Sequence, residues 1–420
     1  MQPRNQNHRH GLIATLPLAV LLAACGAGAS PSSSSPSTPT PTAAATPTAA
    51  AATTPTLVPT PSPTAVPTPA PEPPLALFYT DIGAMEVVNG QGVEQWGLTN
   101  AQEGKLFGLT AAQASKYNLA PQSGNSNLFF FYQPTPTSIN KVVVLSRTGK
   151  LLGLGTAPAL DNSVSFQNSP TGTSWAWTID QTPNATGEHH GVVEVGGLGQ
   201  SNRIVYRWVA PAGFTEQLDG WTNTGIIMQR TPQGGPFPCG GYDNSGYAWF
   251  AINASTGQLT ELVSGNEQLI DSFGGEGTAG SSVLVARLLN DAHSVLINGV
   301  KYSESKSIVA DAPISPDGAH VAVLRESFNP CGGGAIPQSS IEMVTLANHS
   351  HIDLQNLQLA GWWGSNEIVA NYTGPIASPS PPPGTNGYES GVLWIYTLQG
   401  KPVSQIGRVN TPWLYQGALA

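Results

Sequence analysis

Beyond residue 74, hydrophobic and polar positions alternate in short bursts: a run of β-branched or aromatic residues, a small polar turn, then a second run. A period of two sends successive side chains to opposite faces of an extended chain, so these bursts predict strands. One hairpin of this form recurs seven times, starting at Met85 (MEVVNGQGVEQW), Lys141 (KVVVLSRTGKLLGLG), Val192 (VVEVGGLGQSNRIVYRW), Tyr247 (YAWFAINASTGQLTELV), Ser294 (SVLINGVKYSE), Ile341 (IEMVTLANHSHIDL) and Val392 (VLWIYTLQGKPVSQIG). The mean spacing of about fifty residues suits a four-stranded unit. Each unit is predicted to run inner strand, turn, second strand, loop, third strand, turn, fourth strand. In the sixth unit the strands are expected at 311–315, 320–325, 340–346 and 350–355. Helical periodicity is confined to a short stretch near Leu109 to Tyr117, and residues 101–116 fit the repeat poorly.

Two longer stretches repeat more closely. Ser169-Pro-Thr-Gly-Thr-Ser-Trp-Ala-Trp177 matches Ser315-Pro-Asp-Gly-Ala-His-Val-Ala-Val323. Leu218-Asp-Gly-Trp221, followed by Gly225-Ile-Ile, matches Leu359-Ala-Gly-Trp362, followed by Glu367-Ile-Val. The Ser-Pro-Asp-Gly turn, clean at 315–318 and degraded at 169–172, resembles the TolB-like propeller repeats of bacterial envelope proteins. Those belong to the wider class of WD-repeat-like propellers. The resemblance implies an all-β fold, a β-propeller of seven four-stranded blades, and it implies no activity. Six or eight blades also accommodate the irregular first unit. That unit, Leu75 to Thr99, lacks a preceding inner strand, while Thr411 to Tyr415 is a spare apolar segment at the other end. The segment is expected to complete the first blade and close the ring, leaving no open edge at the centre.

The first ten residues carry Arg4 and Arg9 and no acid, and an apolar run follows from Gly11 to Ala24. This is the layout of a signal peptide, and the run is too short for a permanent membrane span. It ends in Leu22-Ala23-Ala24-Cys25, then Gly26. These residues resemble the lipobox of bacterial lipoproteins, which implies lipidation of Cys25 and attachment to a membrane through the lipid. From Ser30 to Pro74 the chain is almost only Ser, Thr, Pro and Ala. Such a stretch has nothing to bury and predicts a disordered tether. Polyproline II at about 3.1 Å per residue would let it reach roughly 140 Å. The expected organisation is therefore a leader at 1–24, a lipidated tether at 25–74 and a propeller at 75–420. The expected location is outside the cytoplasm, on the membrane or cell surface. No later segment offers eighteen uninterrupted apolar residues.

Charged residues make up only 10% of the chain, and the net charge is −9. Nucleic-acid binding needs a basic face, and no such partner is expected. Besides Cys25 there are Cys239 and Cys331, each within Pro-Cys-Gly-Gly. In an exported protein such a pair suggests a disulfide, against which stand two unpaired thiols in similar loops.

Candidate chemistry concentrates in two places. Long Gly- and Pro-rich connections at 181–190, 231–246, 326–339 and 373–391 are all expected between second and third strands, hence on one face, where binding commonly sits. Asp161, Asp219, Asp271 and Asp311 are each expected near the start of an inner strand, in blades three to six, with Ala120 and Ala360 at the equivalent positions of blades two and seven. Four clustered carboxylates could hold a cation or a polyhydroxylated ligand. Each could equally accept hydrogen bonds from loop amides. Glu188-His189-His190 offers ligand atoms, but neighbouring residues of an extended chain point apart, so no metal site is assigned. Tyr242, Tyr388 and Trp363 are candidate exposed aromatics suited to stacking on sugar or peptide, although Trp in a propeller more often packs between blades. Gly274–Ser281 is Gly-rich without a lysine, so it is no phosphate loop, and no nucleophile elbow, calcium loop or His-Glu-x-x-His motif occurs. No cofactor is expected. Two readings follow: a non-catalytic module or scaffold binding a protein, peptide or glycan through the long-loop face, or an extracytoplasmic polysaccharide hydrolase or lyase using two of the aspartates.

Overall fold

The structure is a computed structural model of the 420-residue chain. It describes residues 72–80, 85–114, 121–123, 127–132, 140–157, 166–181, 184–232, 247–274, 282–288, 291, 293–327, 339–373, 392–407 and 413–419. The chain divides into two units, Met1–Thr68 and Pro69–Ala420. The first unit, with the expected leader and Cys25, lies outside the described residues. So do Cys239, Cys331, Asp161, Ala120, Tyr242 and Tyr388.

The second unit is a β-propeller of seven four-stranded antiparallel sheets. All seven hairpins expected from the alternation are present, and each forms the third and fourth strands of its blade, as in Val295↔Ser303 of blade 5 and Ile341↔Leu354 of blade 6. Blade 1 takes its innermost strand from the other end of the chain: Trp413–Leu419 pairs antiparallel with Leu75–Thr80, from Leu75↔Leu419 to Thr80↔Trp413. The ring is closed as expected, with the closing strand extending further than 411–415.

The hydrophobic core is not a single centre. Among the described residues it falls into seven clusters, one at each blade junction. Trp175 and Trp177 meet Val142 and Val144 between blades 2 and 3, and Trp249 meets Leu269 and Ala286 between blades 4 and 5. Ala76 and Phe78 meet Trp363 and Val369 where blade 7 returns to blade 1. A strand in such a stack is buried on both faces, which is why Val142–Leu145 and Trp249–Ile252 read as continuous apolar runs. Each large side chain buried here stabilises the ring by roughly 1.5–3 kcal/mol.

The poorly fitting stretch is a two-helix insert between blades 1 and 2, Asn100–Leu106 and Ala111–Ala114. Its first helix is started by a capping box, Thr99 with Gln102, and packs Leu106 and Phe107 against the core of that junction. In blade 6 the inner strand is Ile308–Asp311, three residues ahead of its expected start, and only an isolated bridge, Ile314↔Val321, continues it. The shift has a local cause, a β-bulge described below.

Candidate functional site

Five inner strands, those of blades 4 to 7 and of blade 1, carry the same irregularity, which in blade 1 leaves Gln416 unmatched between Tyr415 and Gly417. In blades 4 to 7 the register against the second strand slips between Leu218 and Gly220, Leu269 and Asp271, Val309 and Asp311, and Leu359 and Gly361. Each bulge sets two inner residues against one, re-aiming the side chains on either side of it. Asp271 and Asp311 are thus equivalent, first after the bulge, and the matching positions in blades 4 and 7 are Gly220 and Gly361. Asp219 is the bulged residue itself and corresponds to Ile270, Ala310 and Ala360. The sequence repeat aligned Asp219 with Ala360 correctly but placed it one step out of phase with the other two aspartates. None sits at the start of its strand: the inner strands are Phe214–Thr222, Glu267–Phe273 and Ile308–Asp311, so all three lie past the middle.

The partners of these carboxylates follow from that placement. Asp271 Oδ1 accepts from the Ser272 amide at 2.7 Å, and Oδ2 accepts from the Ile314 amide of blade 6 at 2.7 Å. Burial pushes its pKa up to about 6 despite those two hydrogen bonds, and the neighbouring charge of Asp311 adds to the rise. Asp311 is exposed and accepts from the Ala312 amide at 2.8 Å. The Asp219 carboxylate accepts from Trp249 Nε1 at 3.1 Å.

The Asp271 bond belongs to a belt that joins blade to blade around the channel. Gln167 Nε2 of blade 3 donates to the Asp219 carbonyl at 3.3 Å, and Thr222 Oγ1 of blade 4 meets Ser272 Oγ at 2.8 Å. Trp362 Nε1 of blade 7 donates to the Pro313 carbonyl of blade 6 at 3.1 Å. Sequence reasoning missed Gln167, Thr222 and Trp362, because such bonds cross about fifty residues and leave no local pattern.

A buried ion pair stands behind the belt: Arg325 Nε donates to Glu342 Oε2 at 2.9 Å, while Arg325 Nη1 reaches the His293 carbonyl of blade 5 at 3.0 Å. Its signal in the sequence is a charge inside each of two apolar runs, VAVLRE and IEMVT.

The remaining candidates separate. Trp363, a candidate for stacking or for packing between blades, does the second: it is buried at the junction of blades 7 and 1 against Ala76 and Phe78. Glu188 belongs to a self-contained turn. Asn184 Nδ2 and Thr186 Oγ1 donate to its carboxylate at 2.9 and 3.1 Å and hold its pKa below the usual range. His190 Nε2 lies 4.0 Å from that carboxylate, whereas His189 is the opposite neighbour of Ala210 in the strand. Among the described residues no three His, Cys, Asp or Glu side chains are grouped to hold a metal ion. No described helix is long and apolar enough to cross a membrane.

Strand direction sorts the connections onto two faces. The 181–189, 232–248, 326–339 and 372–394 connections leave the ends of second strands, as expected. The first-to-second and third-to-fourth turns lie on the opposite face. Leu75 opens a second strand, so the chain enters the ring from the turn face. There Arg147, in the third-to-fourth turn of blade 2, donates to the Pro73 carbonyl and pairs with Glu72 at 3.4 Å. Pro74 borders a recess with Gly364, Glu367 and Gln399 of blade 7 on the same face.

No protein-family model matches this chain, and no curated protein matches it. Among solved structures it is similar to TolB from Acinetobacter baumannii, at 11% identity over 82% of this chain and 66% of that one, with a TM-score of 0.36. It is similar to a prolyl endopeptidase at 10% identity, over 81% and 51% of the two chains, with a TM-score of 0.48. It is also similar to the acylaminoacyl peptidase of Pyrococcus horikoshii, at 9% identity over 80% and 53%, with a TM-score of 0.46. The chain therefore spans about half to two thirds of the length of those proteins. These likenesses concern the fold alone, and no activity passes from them to this chain.

Proposed function

We propose that this chain is a non-catalytic recognition module, held to a membrane outside the cytoplasm by lipid on Cys25 and binding a protein, peptide or glycan through its long-connection face. The observation that carries the reading is the opposition of the two faces. The chain enters where the short turns are, at Glu72–Pro74, while the long connections of blades 3, 4, 6 and 7 leave the other side. The longest loops therefore lie on the face away from the point where the chain enters, on a scaffold stiffened by seven junction cores. A Cys239–Cys331 bond would tie two of these connections together.

The hydrolase or lyase reading draws no support from Asp271. Glycoside hydrolysis uses two carboxyl groups at roughly 5–5.5 or 6.5–9.5 Å that face the substrate. Both oxygens of Asp271 face backbone amides instead.

The test is a screen of the full chain on glycan and peptide arrays, beside variants in which 234–245 or 375–390 is replaced by Gly-Ser-Gly. Ligands captured by the parent and lost from a loop variant with unchanged circular dichroism support the reading. Ligands retained by both loop variants but lost on Asp271→Ala or Asp311→Ala would move the site to the channel. Cys25→Ser is expected to release the chain from the membrane fraction, and continued membrane retention would remove the lipid anchor from the proposal.

A further inference from the structure

Among the described residues the outermost strand of each blade is an unpaired sheet edge, and proteins guard such edges with charge or proline. Six blades here do so, with Glu94, Arg203, Glu261, Lys301, Asp353 and Pro402 in blades 1, 3, 4, 5, 6 and 7. Blade 2 does not. Its outer strand, Leu151–Ala157, reads LLGLGTA. Leu151, Leu152 and Leu154 are 46%, 43% and 61% exposed, where no other outer strand exposes more than two large apolar residues.

The two faces of this strand differ. Gly153 and Gly155 lie against blade 3, where an added Cβ would meet Leu198 at 2.9 Å and the Trp175 ring at 2.3 Å. Leu154 and Thr156 stand on the other face, which is open. The cost of exposing this apolar edge has no return within the ring, since neither exposed leucine face contributes to a junction core.

Charge says what the edge would accept. Residues 104–160 hold five cations, Lys105, Lys116, Lys141, Arg147 and Lys150, and no acid, in a chain of net charge −9. Two of them frame the edge. Lys150 directly precedes Leu151, and Lys141 lies opposite Thr156 in the register. Both are exposed. At the Leu151 end an acid is already attracted, since Glu72 pairs with Arg147. A second copy of this blade is a poor occupant, because antiparallel pairing of the edge with itself brings lysine to lysine.

We propose that Leu151–Ala157 is a docking edge for an extended segment of another protein, apolar at its centre and acidic at both ends, which adds a fifth strand to blade 2. Backbone hydrogen bonds along the edge supply affinity, and the leucines and flanking lysines select the sequence. This surface lies on the rim of the ring and is independent of the long-connection face.

The probe is a fluorescein-labelled peptide, Glu-Asp-Val-Thr-Val-Thr-Val-Asp-Glu, titrated into the full chain and read by anisotropy and by amide hydrogen exchange. Binding with slowed exchange at 151–157 is expected. A peptide with lysines in place of its acids should bind at least tenfold more weakly. Leu154→Glu, a change at a mostly exposed position, should weaken the acidic peptide at least tenfold. Lys141→Glu with Lys150→Glu should reverse the preference between the two peptides. Equal binding of both peptides, or slowed exchange elsewhere only, overturns the proposal. Self-association in sedimentation that Leu154→Glu abolishes would give the edge to a second copy and overturn it equally. Loss of array ligands in the loop variants leaves this experiment unaffected, so the two proposals fail separately.

Discussion

Two carboxyl groups, Asp271 half-buried and Glu103 fully buried, set the residue-scale behaviour of this ring. The fold raises the Asp271 pKa from its ordinary 3.8 to about 6, so the native state favours the protonated form more than the unfolded chain does. The resulting stabilisation is complete below pH 4 and is lost as pH rises through 6, amounting to about 3 kcal/mol. The stability difference between the parent and Asp271→Asn should therefore move in the variant's favour between pH 4 and pH 7. Urea midpoints measured at both values check this, and a constant gap would contradict it. Glu103 is the more extreme case. It is fully buried on the insert helix, neither carboxyl oxygen has a hydrogen-bond partner among the described residues, and burial pushes its pKa up to about 9. Replacing an unpaired buried polar group by an apolar one of similar size is stabilising, so Glu103→Met should gain about 1–3 kcal/mol in chemical denaturation. Asp271 was legible as a candidate but its phase was not, and Glu103 was not legible at all. Glu103 follows a capping box and reads as an ordinary first-turn acid, and Asp271 differs from Asp219 only through a register that no alternation records.

At the scale of elements, the turns that repeat in sequence also repeat in structure. In Ser315-Pro-Asp-Gly318 the Gly318 amide donates to the Ser315 carbonyl at 2.8 Å, and Ser315 Oγ accepts from the His320 amide at 2.9 Å. The degraded copy keeps both: the Gly172 amide donates to the Ser169 carbonyl at 2.9 Å, and Ser169 Oγ accepts from the Ser174 amide at 3.1 Å. Gly318 has a φ of 72°, and a Cβ there would lie 2.3 Å from the Phe273 ring of the preceding blade. The left-handed backbone and the collision together predict that Gly318→Ala costs about 2–4 kcal/mol. A thermal shift of less than one degree would show that the turn adapts. Outer hairpins were legible because two alternating strands and a small turn lie within about fifteen residues. Inner strands were legible only in outline. Those of blades 2 and 3 have three residues each, the other five are interrupted by a bulge, and all are paired on one side only, so their boundaries depend on the second strand rather than on their own pattern.

At the scale of the molecule, blade number and closure could be read from the chain, because a spare apolar strand at one end answered a missing one at the other. Deleting residues 413–419 should uncover the Leu75–Thr80 strand to the channel and remove six register pairs. The expected result is a urea midpoint lowered by at least 1 M or loss of a single cooperative transition, and an unchanged midpoint would make closure dispensable. The seven junction cores and the inter-blade belt were not legible, since both rest on contacts between segments about one blade apart.

Entry at the turn face also decides how the ring would bear a mechanical load. With the chain held at Leu75 and a partner gripping the opposite face, tension runs along the strands rather than across them. The Leu75–Thr80 strand would then be pulled lengthwise between Trp413–Leu419 on one side and Met85–Val88 on the other. Its ladder bonds would be loaded together, in shear, instead of opening one at a time like a zipper. A blade assembled from the two ends of the chain is thereby also the part of the ring built to resist being pulled off its tether.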